Sequence, residues 1–468
     1  MRPLNVEEMI SALSRLPEAE TLRRRRAQIQ ASLNAEQSAV ISAGLSQPRN
    51  FPANHYPDFR ANSHFLYLIG QHLPSAVLVL THRDATLYHP APTKSGSLWH
   101  GEEKRFSTLS MEIGCEVRSL DQLRADLKSL REPMTLPTFQ ANTRDQLVDL
   151  MGDRALERHP SLIKAMVNAR LIHDEDAIRE LRLAAELTGY AHHAGLSATM
   201  SSSWAYQLRA AMETPLTSVG ARLAYAPIIT PRGEVLHNHD YHDRLTSSDL
   251  ILADVGAETH GGWAGDVTRT WPASGRWSDT QRAVYEVVLN ALESATQIAR
   301  PGVEYASLHQ AARMSLIDGL LDLGILKGDR HDIDDANSIA LFFPHGIGHL
   351  LGLDVHDMED LGDDAGYAEG RARRESFGWG YLRLDRVLRA GMAITIEPGF
   401  YQVPALLSDP TWAGPHAGSF VQWETLSAFS DVRGIRIEDD IIITEAEPEV
   451  LSAEIPKHPD ELTSLVRS

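Results

Sequence analysis

Cysteine is almost absent from these 468 residues, Cys115 being the only one. An intramolecular disulfide and a cysteine-ligated zinc site are thereby excluded, and a reducing, cytoplasmic setting is the expectation. With no partner residue marked beside it, Cys115 reads as a small buried apolar side chain rather than a nucleophile. Long apolar runs are missing too. None approaches the ~20 residues needed to cross a bilayer, so no membrane segment is expected. The N-terminal MRPLNVEEMI carries early acidic residues and no apolar stretch with a small-residue cleavage site, so no secretory signal is expected either. Positive charge is in deficit, with 44 Lys and Arg against 63 Asp and Glu for a formal charge of −19. Phosphate binding needs a concentrated basic surface, which argues against nucleic acid as a partner. The one basic run, Arg23-Arg24-Arg25-Arg26, follows Glu18 and Glu20 and is flanked by Leu22, Ile29 and Leu33 at helical spacing, which predicts a solvated helix face.

What is present is a globular composition, with 43% hydrophobic and 23% charged residues. The length calls for two domains. Residues 1–172 mix short strand-like runs such as Ala76–Leu80 with turns and helices, as a smaller α/β domain would. Asp174 is a credible N-cap for a helix reaching about Ala198, with Ile178, Leu181, Ala185 and Leu187 on its buried side. The domain boundary is placed before it, leaving 173–468 as the second, catalytic domain. There Asp249–Val255 and Asp266–Trp271 read as strands joined by a Gly-rich loop or hairpin. Ser278 and Gln281 have capping-box spacing, and the helix they open carries Val284, Val287, Val288, Ala291 and Ala295 before Pro301-Gly302 stops it. Met392–Glu397 and Gly434–Thr444 are further strand candidates.

Side chains able to bind a divalent metal fall on these strands. A hairpin would bring Asp254 and Asp266 together on one face. Period two sets Thr395 and Glu397 opposite Ile394 and Ile396, and puts Arg436 on the same face as Glu438. Asp439 and Asp440, just beyond, fit a turn-capping role. Clustered carboxylates need a compensating cation. In His345-Gly346-Ile347-Gly348-His349 the glycines disfavour a helix, and Gly346 stands where a zincin would have glutamate. His349 is therefore read as a ligand, with His345 beside it in an irregular loop.

The runs DVGAETHGGWAGDVTRTW, FFPHGIGHLLGLDVHD, TIEPGFY and GIRIEDD resemble, in order, the signatures of the creatinase-like "pita-bread" metallopeptidases, especially aminopeptidase P and prolidase. FRANSHFLYLIG at residues 59–70 resembles their N-terminal domain. The resemblance implies an α/β fold with a pita-bread C-terminal domain and a dinuclear site: Asp254 on one ion, Asp266 and Glu438 bridging, His349 and Glu397 completing the second. Manganese is the metal it implies, and the donor set also admits cobalt or zinc. A metal-bridging hydroxide would attack the scissile carbonyl beside proline. Glu397 would be general base, His237 and His356 would contact substrate and stabilise the tetrahedral intermediate, and His345 would stand beside the proline pocket. Arg436 would hold a ligand carboxylate. A homo-oligomer is a further family expectation.

Departures from the pattern are an extra residue between the two aspartates, absorbed at Gly261-Gly262, and Thr230-Pro231-Arg232-Gly233 in place of a Gly- and Ser-rich run. His237-Asn238-His239 also lacks a usual aromatic residue. The segment GWGYLRLDRVLRAGMAITIEPGFY, with some thirty residues before GIRIEDD, is more similar to prolidases. Arg383 falls where prolidases clamp a dipeptide's carboxylate, a task suited to a planar guanidinium. The reading therefore leans to an Xaa-Pro dipeptidase. The alternatives are an Xaa-Pro aminopeptidase acting on longer peptides, and an inactive peptide-binding module of the same fold, which would be expected to have lost ligands.

Overall fold

Leucine and valine alternate through Val77–Thr81, and this strand lies at the centre of the first of two units. The computed structural model describes residues 3–51 and 59–468, so the first two residues of the N-terminal segment read above lie outside the described residues. One unit comprises Ser14–Ile172 with Met358–Ala365; the other comprises Met1–Leu13, His173–Asp357 and Gly366–Ser468. Against a single cut after residue 172, two segments thus change sides.

The first unit is built on a five-stranded mixed sheet, in the order Glu116–Ser119, Ala85–His89, Val77–Thr81, Gln37–Ser42, Glu132–Met134. Helix Ala19–Gln30 carries the arginine run, and the expected solvated face holds for Arg23 and Arg24 but not for the other two. Arg25 and Arg26 are buried, and their guanidiniums donate to the carbonyls of Tyr67, Leu68, Ile113 and Gly114. Arginine can satisfy orphan carbonyls at the ends of neighbouring helices, a demand that helical periodicity does not reveal. Cys115 is only half-buried, its thiol pKa raised by burial.

In the second unit, Asp174 caps helix Glu175–Ala198 by accepting from the Ala177 N–H. The predicted capping box is formed at Ser278 and Gln281 of helix Asp279–Gln297, whose Val284, Val287, Val288, Ala291 and Ala295 are all buried. Strands Leu250–Val255 and Val267–Pro272 pair antiparallel, with Thr268 opposite Asp254, and Ile228–Thr230 flanks them. Gly256 is essential to this hairpin's closeness: a Cβ there would lie 1.7 Å from the Gly265 carbonyl oxygen.

The long strand expected over Gly434–Thr444 is two strands. Gly434–Arg436 pairs with Gly399–Tyr401, whereas Asp439–Ile442 pairs with Ala393–Ile396. The break at Ile437-Glu438 switches sheets, and the Glu438 N–H reaches across to the Thr268 carbonyl at 3.0 Å. Asp439 and Asp440 do not cap a turn; both are fully buried. Asp439 accepts from Arg269 at 2.8 Å and is paired with Lys457. No helix among the described residues is long and apolar enough to cross a membrane.

Candidate metal centre

The hairpin brings Asp254 and Asp266 close enough for the Tyr225 hydroxyl to contact both, at 2.5 Å from Asp254 Oδ1 and 2.6 Å from Asp266 Oδ1. One hydroxyl carries one proton, so both contacts can be hydrogen bonds only when one carboxyl is protonated. The Asp266 backbone is fixed from behind, its N–H donating to Asp440 Oδ2 at 3.0 Å.

His349 arrives on an irregular loop that behaves as an extra strand. The Thr395 N–H donates to the His349 carbonyl at 3.0 Å and the Glu397 N–H to the Ile347 carbonyl at 2.8 Å. The loop can lie so close only because residue 348 is glycine. At φ +149° a Cβ there would stand 2.4 Å from the Thr395 carbonyl oxygen and 2.5 Å from the Tyr305 hydroxyl. This placement sets His349 Nε2 at 3.2 Å from Asp266 Oδ2 and 3.8 Å from Glu397 Oε1. Glu438 Oε2 accepts from the Thr268 hydroxyl at 2.7 Å. Ligand atoms of Asp266, His349 and Glu438 all lie within 4.8 Å of one another.

A cavity of about 530 Å³ is lined by Asp254, Asp266, His349, Glu397 and Glu438, and also by His237, His345, His356, Arg383 and Arg436. Every site residue read from the sequence therefore borders one space. The rings of His349 and His356 meet edge to face, with centroids 4.4 Å apart. Arg436 donates to Asp254 Oδ2 at 2.6 Å, to the Thr268 hydroxyl at 3.0 Å and to the Tyr401 hydroxyl at 3.2 Å. Tyr401 in turn lies 2.9 Å from His345 Nε2, and His345 Nδ1 lies 2.8 Å from the Gly346 carbonyl. Since the tyrosine oxygen accepts from Arg436, its proton points to His345. The imidazole is therefore neutral, with its own N–H on Nδ1. Burial, and then Arg436, lowers the His345 pKa to about 3, in keeping with that tautomer.

The electrostatics leave a deficit of positive charge. Burial raises the pKa of Asp254, Asp266 and Glu438. Burial likewise lifts Glu397 to about 8; Arg436 opposes the rise, and Asp266 and Asp254 add to it. Arg436, already shared among three acceptors, and Arg383 on the cavity wall do not together neutralise four carboxylates. Oxygen donors plus one imidazole around a common point are a set that hard or borderline divalent cations fit.

Tyr225, Tyr401 and Thr268 were not singled out from sequence, and Asp440 was read only as a turn cap. Thr268 lies within the DVGAETHGGWAGDVTRTW run and Tyr401 closes TIEPGFY, so both had a motif to mark them. Tyr225 stands outside every run and only the fold brings it in.

Residues 179–445 match Metallopeptidase family M24, and residues 22–136 match the aminopeptidase P N-terminal domain. The Xaa-Pro aminopeptidase of Escherichia coli is 28% identical, over 97% of this chain and 99% of its own. A Fusarium vanettenii protein named "Probable Xaa-Pro aminopeptidase" is 31% identical over 87% of each chain. Among solved structures, E. coli aminopeptidase P with the inhibitor Pro-Leu superposes with a TM-score of 0.78 at 28% identity, covering 97% of this chain and 99% of that one. Pseudomonas aeruginosa aminopeptidase PepP gives 0.79 at 27% identity, covering 97% and 98%. The lean toward prolidase, drawn from the segment before Glu397, finds no support in these relatives. The match over more than half the chain, joined to the converging carboxylates and His349, shows that this chain is a metallopeptidase belonging to family M24, with an aminopeptidase P N-terminal domain ahead of the catalytic one.

Proposed function

We propose that this chain is an Xaa-Pro aminopeptidase, releasing the N-terminal residue ahead of proline from peptides longer than two residues. The observation that carries the reading is the single cavity in which the metal-ligand set, three histidines and two arginines converge. The preference for longer peptides rests on the relatives that match nearly end to end, which are named Xaa-Pro aminopeptidases.

Asp254, Asp266, His349, Glu397 and Glu438 would hold two divalent ions, for which we propose manganese; a zinc-substituted form is known for the E. coli relative. When bound, such ions polarise a carbonyl and acidify water. The protein's own groups do the rest. Glu397 removes the proton of the attacking water and returns it to the leaving proline nitrogen. His237 and His356 supply N–H groups to the carbonyl oxygen as it gains charge. Neutral His345, with both ring nitrogens engaged, is a fixed wall beside the proline ring. Arg436 orients Asp254 and offsets the carboxylate charge. Arg383, on the same cavity, meets the peptide backbone or C-terminus beyond proline. A cytoplasmic setting and a homo-oligomer complete the reading, supported by the lone cysteine and by the family resemblance.

The test compares Xaa-Pro dipeptides with Xaa-Pro-Xaa tripeptides, with manganese and with chelator. Faster metal-dependent tripeptide cleavage is expected, and Arg383→Ala should weaken tripeptide cleavage at least as much as dipeptide cleavage. Exclusive dipeptide cleavage, with a dipeptide-specific rise in KM for Arg383→Ala, would restore the prolidase reading.

A further inference from the structure

His349 and Glu397 lie on neighbouring stretches of chain, and Thr395 joins them. Thr395 stands two positions before Glu397, in strand Ala393–Ile396. Its N–H donates to the His349 carbonyl at 3.0 Å, and its hydroxyl accepts the His349 N–H at 3.1 Å. In a regular antiparallel pair, facing residues exchange two backbone bonds, N–H to carbonyl in each direction. Here one of the two is kept, and the other N–H goes to a side chain. The Thr395 carbonyl must then be satisfied from elsewhere, since Thr395 is 0% exposed and a buried carbonyl is seldom left without a donor.

Tyr305 supplies that donor. Its hydroxyl donates to the Thr395 carbonyl at 2.8 Å, and its side chain is itself fully buried. The absence of a Cβ at Gly348 is what lets the hydroxyl come in against the loop that carries His349. The tyrosine is also fixed at its backbone. It opens helix Tyr305–Asp322, and its N–H donates to the Arg386 carbonyl at 3.0 Å. Just ahead of it, Glu304 accepts from both ends of the Arg371 guanidinium at 2.6 and 2.8 Å, and Arg371 also reaches Asp385 at 2.9 Å. The Val303 carbonyl accepts from the Leu388 N–H at 2.8 Å. The start of the helix is therefore tied to residues 385–388, the segment that leads into strand Ala393–Ile396.

We infer that Tyr305 is a positioning residue for the metal centre: through the Thr395 carbonyl it fixes the spacing of His349 and Glu397, the two ligands assigned to the second ion alone. Asp254, assigned to the first ion, is held separately, by Arg436 and by its own hairpin. Loss of the Tyr305 hydroxyl should therefore be felt on one side of the centre. The inference rests on the proposed two-ion reading.

The experiment titrates the metal-free enzyme with manganese in a calorimeter, for the wild type, Tyr305→Phe, Thr395→Val and Thr395→Ser, with melting curves to show that each is folded. Two binding steps are expected in the wild type. Tyr305→Phe, which removes one oxygen and keeps the ring, should weaken one step about 10- to 100-fold, the range typical for a group that supports a ligand, and leave the other unchanged. Thr395→Val lacks the hydroxyl that receives the His349 N–H and should weaken the same step, whereas Thr395→Ser keeps that hydroxyl and should bind both ions as the wild type does. Two unaltered steps in Tyr305→Phe, or equal weakening of both, would overturn the inference and leave the two-ion reading standing. A single step in the wild type would overturn the two-ion reading and the inference with it.

Discussion

The Asp440 carboxylate receives the backbone N–H of Asp266 at 3.0 Å. Its other oxygen, Oδ1, is buried with no partner among the described residues, and burial raises its pKa well above the usual carboxylate range. An amide oxygen of the same shape can accept that N–H equally well. Asp440→Asn should therefore keep divalent-ion binding close to wild type. Asp440→Ala leaves the Asp266 N–H unpaired and should weaken binding 10- to 100-fold, as loss of a ligand's support typically does. Titration with manganese followed by calorimetry distinguishes the two, and equal binding by Asp440→Ala would remove Asp440 from the centre's support.

Tyr401 joins Arg436 to His345, and so joins the Asp254 side of the cluster to the cavity wall. Tyr401→Phe keeps the ring but frees His345 to change tautomer and leaves a guanidinium N–H without its acceptor. A fall in kcat/KM of about 10-fold or more is expected, by the same reasoning for groups that support a metal site. If the link matters through His345, the loss appears in KM for proline peptides while metal affinity is unchanged; a loss of metal affinity instead would locate it at Asp254.

The hairpin holding Asp254 and Asp266 was legible because its signals are local: strand alternation, a Gly-rich turn and a carboxylate near each end. Caps at Asp174 and Ser278 were legible for the same reason. The failures share a different cause. Arg25 and Arg26 looked solvated, and Asp439 and Asp440 looked like turn caps, because a charged residue is normally exposed and nothing nearby in sequence supplies its partner. The partners are the 67–68 and 113–114 carbonyls, Arg269 and the Asp266 N–H, all distant in the chain. The switch of sheets at Ile437-Glu438 was hidden because Ile435 and Ile437 keep phase with Ile441 and Ile443 across Asp439, which suggests one strand and does not say which neighbour each half will pair with. Dipeptide against longer peptide turned on Arg383, whose position on the cavity wall is compatible with both.

Acid should destabilise the protein through its buried histidines. His192 lies fully buried on helix Glu175–Ala198, with Nε2 3.0 Å from the Val267 carbonyl and 3.3 Å from that of Val255. Burial, and then Arg269, lowers its pKa to about 3. The unfolded chain takes up a proton near pH ~6.5 and the folded one does not. The stability His192 leaves intact above that pH is therefore lost as pH falls toward 3, at about 1.4 kcal/mol per pH unit. His192→Gln, whose amide can still donate to the Val267 carbonyl, should flatten the decline in urea midpoints between pH 6.5 and 4. An unchanged slope would mean that His192 is protonated in the folded state.

Tyr225 should matter differently with and without metal. Its hydroxyl lies between Asp254 and Asp266, and its own pKa is pushed well above the ordinary value by burial and then by those two carboxylates. In chelator, Tyr225→Phe removes the hydroxyl that donates to one of the two buried carboxyl groups and accepts from the other, which costs about 1–3 kcal/mol for an unsatisfied buried polar group. Divalent ions held by Asp254 and Asp266 would compensate the same oxygens. The deficit should therefore shrink when urea unfolding is repeated in saturating manganese, and the mutant should gain more stability from the metal than the wild type does. An equal deficit in both conditions would show that Tyr225 acts through its packing rather than through the two aspartates.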